Sequence, residues 1–336
     1  MQPGDSVDSI AAAQGVSVDS ILYNNQIVYP YRLALGQALL LSKGTPAAQR
    51  RTVNVGGYAY PFISRYVLEE TLPYLSDLYV FSYGFTVDGD LIPPALDDSF
   101  MITMARDFEV APILTLTPFG PDGMFNNYLI TRIVNDMEAQ NNLIGQLVAA
   151  VQEKGFQGVD IDFEYILAQD RVAFAEFVGN VRQAINAIGY PVSVALAPKI
   201  ADDQKGMIYE GKDFALLGAA ADSALLMTYE WGYTFGPAMA VAPINKVREV
   251  VDYAITRIPP EKLSLGIPNY GYDWTLPFVR GESRARTLGN VEAVQLAIAN
   301  NAAIQFDTLA MSPYFHYYQE GRQHEVWFED VRSLQA

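Results

Sequence analysis

Three acids stand two residues apart in the stretch Gly155-Phe-Gln-Gly-Val-Asp-Ile-Asp-Phe-Glu-Tyr165: Asp160, Asp162 and Glu164. Val159, Ile161 and Phe163 alternate with them. A period of two is the pattern of a β-strand, whose successive side chains point to opposite faces. The apolar side can pack under helices, and the other side carries a row of carboxylates with Cα atoms roughly 6.5–7 Å apart. Like charges on one face repel, which raises their pKa values unless a proton is retained. A carboxylic acid held protonated near neutral pH is what a general acid needs. The alternative is a surface strand whose outer face is acidic by chance. The catalytic reading also predicts a setting: a buried parallel strand whose carboxyl end opens at the mouth of a site.

The rest of the chain supplies such a setting. From residue 52 onward, strand and helix patterns alternate. Strands are predicted at 52–60, 78–83, 111–117, 158–164, 192–197, 224–229 and 263–267. Helices are predicted at 64–75, 99–106, 127–154, 171–187, 213–220 and 244–257. Such alternation implies right-handed βαβ units around a parallel sheet. Seven strands, nearly all followed by a helix, point to a (β/α)8 TIM barrel. No glycine-rich phosphate loop opens any of the helices, which argues against a nucleotide-binding fold. After the seventh strand the pattern changes. Residues 314–318 and 324–328 read as a β-hairpin within a small α+β insertion at about 278–330. An eighth strand is not found, so the sequence is expected to be a fragment cut at both ends, short of about 40 residues by the usual length of such barrels.

Residues 1–43 read as a separate small unit: a Pro3-Gly4-Asp5-Ser6 turn, two short helices, then a turn and strand over 33–41. Residues 44–51 carry Gly, Pro and polar residues and read as a linker.

Composition narrows the partners. The net charge of −16 disfavours nucleic acid and an anionic membrane surface. The chain has no cysteine, so disulfides, thiolate metal sites and cysteine nucleophiles are out, and its two histidines, His316 and His324, read as strand or loop residues. No signal peptide and no membrane-spanning run is visible. The 21 Tyr, 17 Phe and 3 Trp suit a cleft in which rings stack on sugars.

Two resemblances carry this further. The pattern PGDS…SIA…GVSVDSI…NN…L..GQ.LLL over about 40 residues resembles the LysM peptidoglycan- and chitin-binding repeat, although only Met1 and Gln2 stand where that family has its first strand. The acidic stretch resembles the signature of glycoside hydrolase family 18, Asp-Gly-x-Asp-x-Asp-x-Glu, with Gly158, Asp160, Asp162 and Glu164 matching and Gln157 in place of the leading Asp. Gly57-Tyr58, Met227-Thr-Tyr229 and Gly266-Ile-Pro-x-Tyr270-Gly271 fall at the strand ends where that family has similar words. With the LysM unit, the 227–231, 272–277 and 324–330 segments look most similar to its spore cortex-lytic N-acetylglucosaminidase branch.

The resemblance implies a retaining, substrate-assisted hydrolase of N-acetylglucosamine glycans, an exception to the two-carboxylate scheme. Glu164 would be the acid, Asp162 the stabiliser of the substrate's acetamido group, Asp160 its support, and Tyr229 a donor to the acetamido oxygen. Tyr58, Glu230 and Tyr270 would face substrate. Trp231 and Trp274 would either floor sugar subsites or pack the rim, and Trp327 reads as core. No metal and no other cofactor is implied. Peptidoglycan is the expected substrate, bound by the barrel cleft and LysM. Chitin or chitooligosaccharide is the alternative, and a non-catalytic glycan-binding lectin the second alternative. The presumed substrate places the protein in the cell wall or spore envelope.

Overall fold

The computed structural model describes residues 1–41, 52–121 and 123–336, so the 44–51 linker expected from sequence lies outside the described residues. The chain divides into two compact units, Thr52–Met227 with Val250–Leu265, and Met1–Arg51 with Thr228–Glu249 and Gly266–Ala336.

The first unit is a TIM-type (β/α) half-barrel. Its parallel strands are β1 (Gly56–Ala59), β2 (Asp77–Phe85), β4 (Ala111–Leu116), β5 (Val159–Ile161), β6 (Val192–Leu196), β7 (Ser223–Leu226) and β8 (Leu263–Leu265), paired in that order, with β3 (Leu91–Ile92) antiparallel on β2. These seven are the parallel strands among the described residues. The helices are α3 (Arg65–Thr71), α4 (Ser99–Asp107), α5 (Asn127–Asn135), α6 (Met137–Lys154), α7 (Arg171–Ala187), α8 (Phe214–Ala220) and the second half of α9 (Ile244–Ala254).

The single helix predicted over 127–154 is two helices. Asp136 breaks it by taking an extended conformation and capping the second, its Oδ1 accepting from the Glu138 and Ala139 amides. A carboxylate at that position satisfies donors a helix start leaves unpaired, which offsets the interruption. The core lies between sheet and helices. Phe163, just beyond β5, is fully buried and stacks on Phe85, Phe174 and Phe177 at ring separations of 5.4, 5.6 and 5.7 Å. Burial of each such ring is worth roughly 1.5–3 kcal/mol, enough to anchor the segment that follows β5.

The second unit holds the amino-terminal repeat and a five-stranded antiparallel sheet. Helices α1 (Val7–Gln14) and α2 (Val18–Asn24) are capped by Ser6 and Ser17 and close on Val7, Ala11 and Ile21. The strand expected over 33–41 is not part of a sheet. Its Leu40 amide and carbonyl are held instead by the Asn25 side chain, at 2.7 and 3.0 Å, and Gly36 donates to the Met1 carbonyl at 3.0 Å. The side-chain amide supplies both halves of a ladder pair, so no partner strand is needed there.

The sheet runs β10 (Arg286–Gly289), β9 (Tyr270–Thr275), β13 (Arg322–Trp327), β12 (Ser312–Gln319) and β11 (Gln305–Asp307), with α10 (Asn290–Ala299) against it and α11 (Val331–Gln335) after it. Strand β9 therefore lies ahead of residue 278, where sequence put the start of the insertion. The β12–β13 hairpin falls where sequence put it, and its turn residues Glu320 and Gly321 both have positive φ, as a two-residue hairpin turn requires. Ala34 is buried in one cluster with Ala293, Ala297, Ile304 and Phe315, and the Ile304 amide donates to the Leu35 carbonyl at 2.8 Å.

Candidate active site

Strand β5 lies between β4 and β6, with Asp160 level with Thr115 on one side and Ser193 on the other. All three side chains stand on one face. The strand is shorter than predicted: it ends at Ile161, although the Asp162 amide still donates to the Leu116 carbonyl at 2.9 Å. Glu164 thus lies on the segment leaving the strand, and Tyr165 after it has a positive φ of 52°.

Asp160 is 0% exposed. Its Oδ1 accepts from Ser193 Oγ at 2.5 Å and its Oδ2 from the Tyr58 hydroxyl at 2.9 Å. Burial pushes its pKa up, and the bonds from Ser193 and Tyr58 pull the other way. Asp162 is pushed up to about 7, first by burial, then by the charge of Asp160, with Glu164 adding to the rise and Lys212 opposing it. Repulsion within the row is therefore real but second to desolvation, which sequence reasoning had not weighed. Asp162 Oδ1 is buried and has no hydrogen-bond partner among the described residues. An unpaired buried acceptor costs about 1–3 kcal/mol, and such groups cluster where a ligand completes them.

Tyr58 is 42% exposed, stacks on Tyr79 with ring centroids 4.4 Å apart, and gives its hydroxyl to Asp160. Beyond it runs a chain of aromatic contacts: Tyr60 on Phe62, Tyr60 on Phe81, Phe81 on Phe119, Phe119 on Phe125 and Phe125 on Tyr165. Tyr60, Phe62, Phe125 and Tyr165 are exposed. Exposed rings in contact with one another present a continuous aromatic surface, of the kind that can stack on the apolar faces of sugars.

The other residues expected at the site lie in the second unit. Glu230 is exposed, has a positive φ of 68°, and accepts from the hydroxyls of Tyr270 and Tyr272 at 2.6 and 2.8 Å. Burial, then the bond to Glu230, pushes Tyr272 up to about 12 and Tyr270 further. Tyr229 is half-buried in the cluster that holds both tyrosines, and Trp231 is half-buried, its amide donating to the Val241 carbonyl at 3.1 Å. Trp274 corrects an expectation. It is 1% exposed, packs with Val241, Tyr272 and Ala285, and donates from Nε1 to the Gly236 carbonyl at 2.8 Å, so it is core and floors no subsite. Trp327 is half-buried, stacked on Tyr314 and bonded to Glu325. His316 and His324 are strand residues, and His324 Nδ1 meets Asp273 at 3.0 Å.

Two residues at the carboxylates escaped the sequence reading. Ser193 is the one polar residue of an otherwise apolar strand next to the acidic one, and that was a usable signal. Lys212, fully buried, carries no such mark. Among the described residues no group of three or more His, Cys, Asp or Glu has the arrangement of a metal site.

The family profile for glycosyl hydrolases family 18 matches residues 123–336, and that for the LysM domain residues 2–42. The cortical fragment-lytic enzyme of Bacillus subtilis (strain 168) is 37% identical over 298 residues, covering 87% of this chain and 68% of its own. That of Bacillus cereus is 35% identical, covering 100% and 90%. The crystal structure of the Bacillus cereus spore cortex-lytic enzyme SleL superposes with a TM-score of 0.81 over 100% of this chain and 77% of that one, at 35% identity. A chitinase structure from Chromobacterium violaceum follows at 0.77, over 84% and 88%, with 25% identity. By its profile match and its relatives, this chain belongs to glycoside hydrolase family 18 and carries a LysM domain ahead of the hydrolase fold.

Proposed function

We propose that the protein cleaves β-1,4 bonds after N-acetylglucosamine in peptidoglycan of the spore cortex or cell wall, with retention of configuration. The observation that carries the chemistry is half-buried Asp162, whose Oδ1 is buried and unpartnered among the described residues while its neighbour Asp160 is held from two sides. A carboxylate poised in this way suits an acetamido N–H. In this reading Glu164 gives its proton to the leaving glycosidic oxygen as the C1–O bond breaks. The substrate's acetamido oxygen closes on C1 to give an oxazolinium ion. Asp162 accepts from the acetamido N–H and balances that cation, Asp160 orients Asp162, and Tyr229 donates to the acetamido oxygen. Glu164 then takes a proton from water, which opens the ring at C1 and restores the acid. The exposed rings from Tyr60 to Tyr165 would support neighbouring sugars, with Tyr58, Glu230, Trp231 and Tyr270 also facing substrate.

The cortical fragment-lytic relatives at 35–37% identity favour peptidoglycan, and the LysM domain supports a glycan-bound, extracytoplasmic setting. Tethering of this kind raises the local concentration of substrate without adding a catalytic contact. The chitinase match, at lower identity, supports chitooligosaccharides as the second reading. The test incubates spore-cortex peptidoglycan and chitooligosaccharides with the protein and with Glu164→Gln, and identifies reducing ends by mass spectrometry. New N-acetylglucosamine ends from peptidoglycan, absent with the variant, are expected. Cleavage of chitooligosaccharides alone would transfer the assignment to a chitinase, and no cleavage of either would end the hydrolase reading.

A further inference from the structure

The half-barrel holds a buried cationic side chain beside the acidic row that the mechanism above does not use. Lys212 is 1% exposed, and its Nζ donates to the Ala195 carbonyl at 2.7 Å. On the β5–β6 ladder Ile161 faces Val194, so the next residue pair places Ala195 level with Asp162. The backbone fixes the rest. A Cβ at Gly211 would stand 2.2 Å from the Ile166 carbonyl oxygen, so the chain that carries Lys212 lies directly on the segment that follows Glu164. The Lys212 amide donates to the Tyr209 carbonyl at 3.1 Å, and its own carbonyl accepts from Lys199 Nζ at 2.9 Å.

A buried ammonium is costly unless a counter-charge offsets it. No carboxylate comes within ion-pair distance of Lys212 among the described residues. What favours its charged form against burial is the field of Asp162, Glu164 and Asp160, in that order. The effect is mutual, since Lys212 lowers the proton affinity of both Asp160 and Asp162. The other groups around the row are hydroxyls, Tyr58 and Tyr79 from β1 and β2 and Ser193 from β6, and Lys199 stands behind the Lys212 backbone.

We propose that Lys212 is a positioning residue of the hydrolysis, a fixed counter-charge that acts through Asp162 and favours the ionised form of that carboxylate. A hydrogen bond to Ala195 alone could be made by a neutral amide. Burial lowers the Lys212 pKa, and the three acids of the row oppose that loss of charge. This inference rests on the mechanism under Proposed function, and its test separates the two.

The test compares Lys212→Gln, which keeps a donor and removes the charge, with Lys212→Arg, which keeps the charge. With a fluorogenic β-N-acetylchitobioside, the acid limb of the kcat/KM profile moves up by about one pH unit in Lys212→Gln, as expected of a unit charge several ångströms away at an effective dielectric near 20. It returns toward the unsubstituted position in Lys212→Arg. An unmoved limb in Lys212→Gln, or equal displacement in both variants, overturns the proposal. If the unsubstituted protein hydrolyses neither this substrate nor cortex peptidoglycan, the proposed function falls; in that case, or if the chitobioside alone is refused, Lys212 is judged by the 13Cγ titration of Asp162, which needs no substrate and moves upward in Lys212→Gln if the proposal holds. If neither variant folds, the 15Nζ signal of Lys212 in the full chain decides. An ammonium whose shift follows the Asp162 titration supports the proposal, and a neutral amine between pH 5 and 8 overturns it.

Discussion

Substitution of Ser193 by Ala tests whether Asp160 is held as a charged support. The Ser193 Oγ–Asp160 Oδ1 bond is 2.5 Å long, and Asp160 is wholly buried. A hydrogen bond to an ionised, buried acceptor contributes about 1.5–3 kcal/mol. Its loss therefore raises the Asp160 pKa beyond the rise that burial already causes. The sign follows from linkage. The folded-state pKa lies above the unfolded value of about 3.9, so the ionised form in the fold is the disfavoured one, and Ser193→Ala disfavours it more. The added instability is full above the folded pKa, where Asp160 is charged in both states. It shrinks as pH falls through the folded pKa, and what remains is a neutral hydrogen bond worth about 0.5–1.5 kcal/mol. By thermal melting the expected drop is about 4–8 °C at pH 8 and clearly less at pH 4.5. Activity at pH 7 falls about tenfold or more, because Asp160 no longer holds Asp162 in one orientation. An equal loss of melting temperature at both pH values would refute the charged-support argument, whatever happened to activity.

Two further outcomes follow from the second unit. Glu329 is buried, pushed up to about 7 chiefly by desolvation, and its Oε1 has no partner among the described residues. Its folded pKa exceeds the unfolded one, so it costs stability as pH rises from about 4.5 to 7, and Glu329→Gln removes up to ~3 kcal/mol of that loss, read as a flatter curve of melting temperature against pH. Gly36 has φ of 75°, and a Cβ there would stand 1.8 Å from the Ile304 carbonyl oxygen. Gly36→Ala should speed hydrogen exchange at the Ile304 amide at least about tenfold, while an unchanged rate would mean that the LysM repeat is not held there.

Much of this was legible in one strand. The alternation from Val159 to Glu164 revealed both the buried face and the acidic one, because a strand's side-chain period is fixed by the backbone. The order of the seven parallel strands was likewise visible as turn signals between apolar runs. What sequence concealed depends on contacts made at long range. Trp274 looks like a subsite residue because aromatic rings after barrel strands often are. The turn that brings the Gly236 carbonyl to its indole is set by packing within the second unit. Asp136 reads as one more polar residue inside a helical period, and only its extended backbone shows it to be a cap. Lys212 was invisible for a related reason: a lysine ahead of a helix is ordinarily a solvated charge, and nothing local marks one that is buried against acids.

The seating of the LysM repeat on α10 and Ile304 bears on how the protein would travel along a glycan. A binding module on a flexible tether samples a sphere, and the tether's length sets the effective concentration. Here Ala34 is buried in the core of the antiparallel sheet's own cluster, and the Leu35 carbonyl takes the Ile304 amide. The module is a rigid handle on that sheet. A break of the chain between residues 41 and 52 would leave these contacts in place and the repeat seated on the sheet.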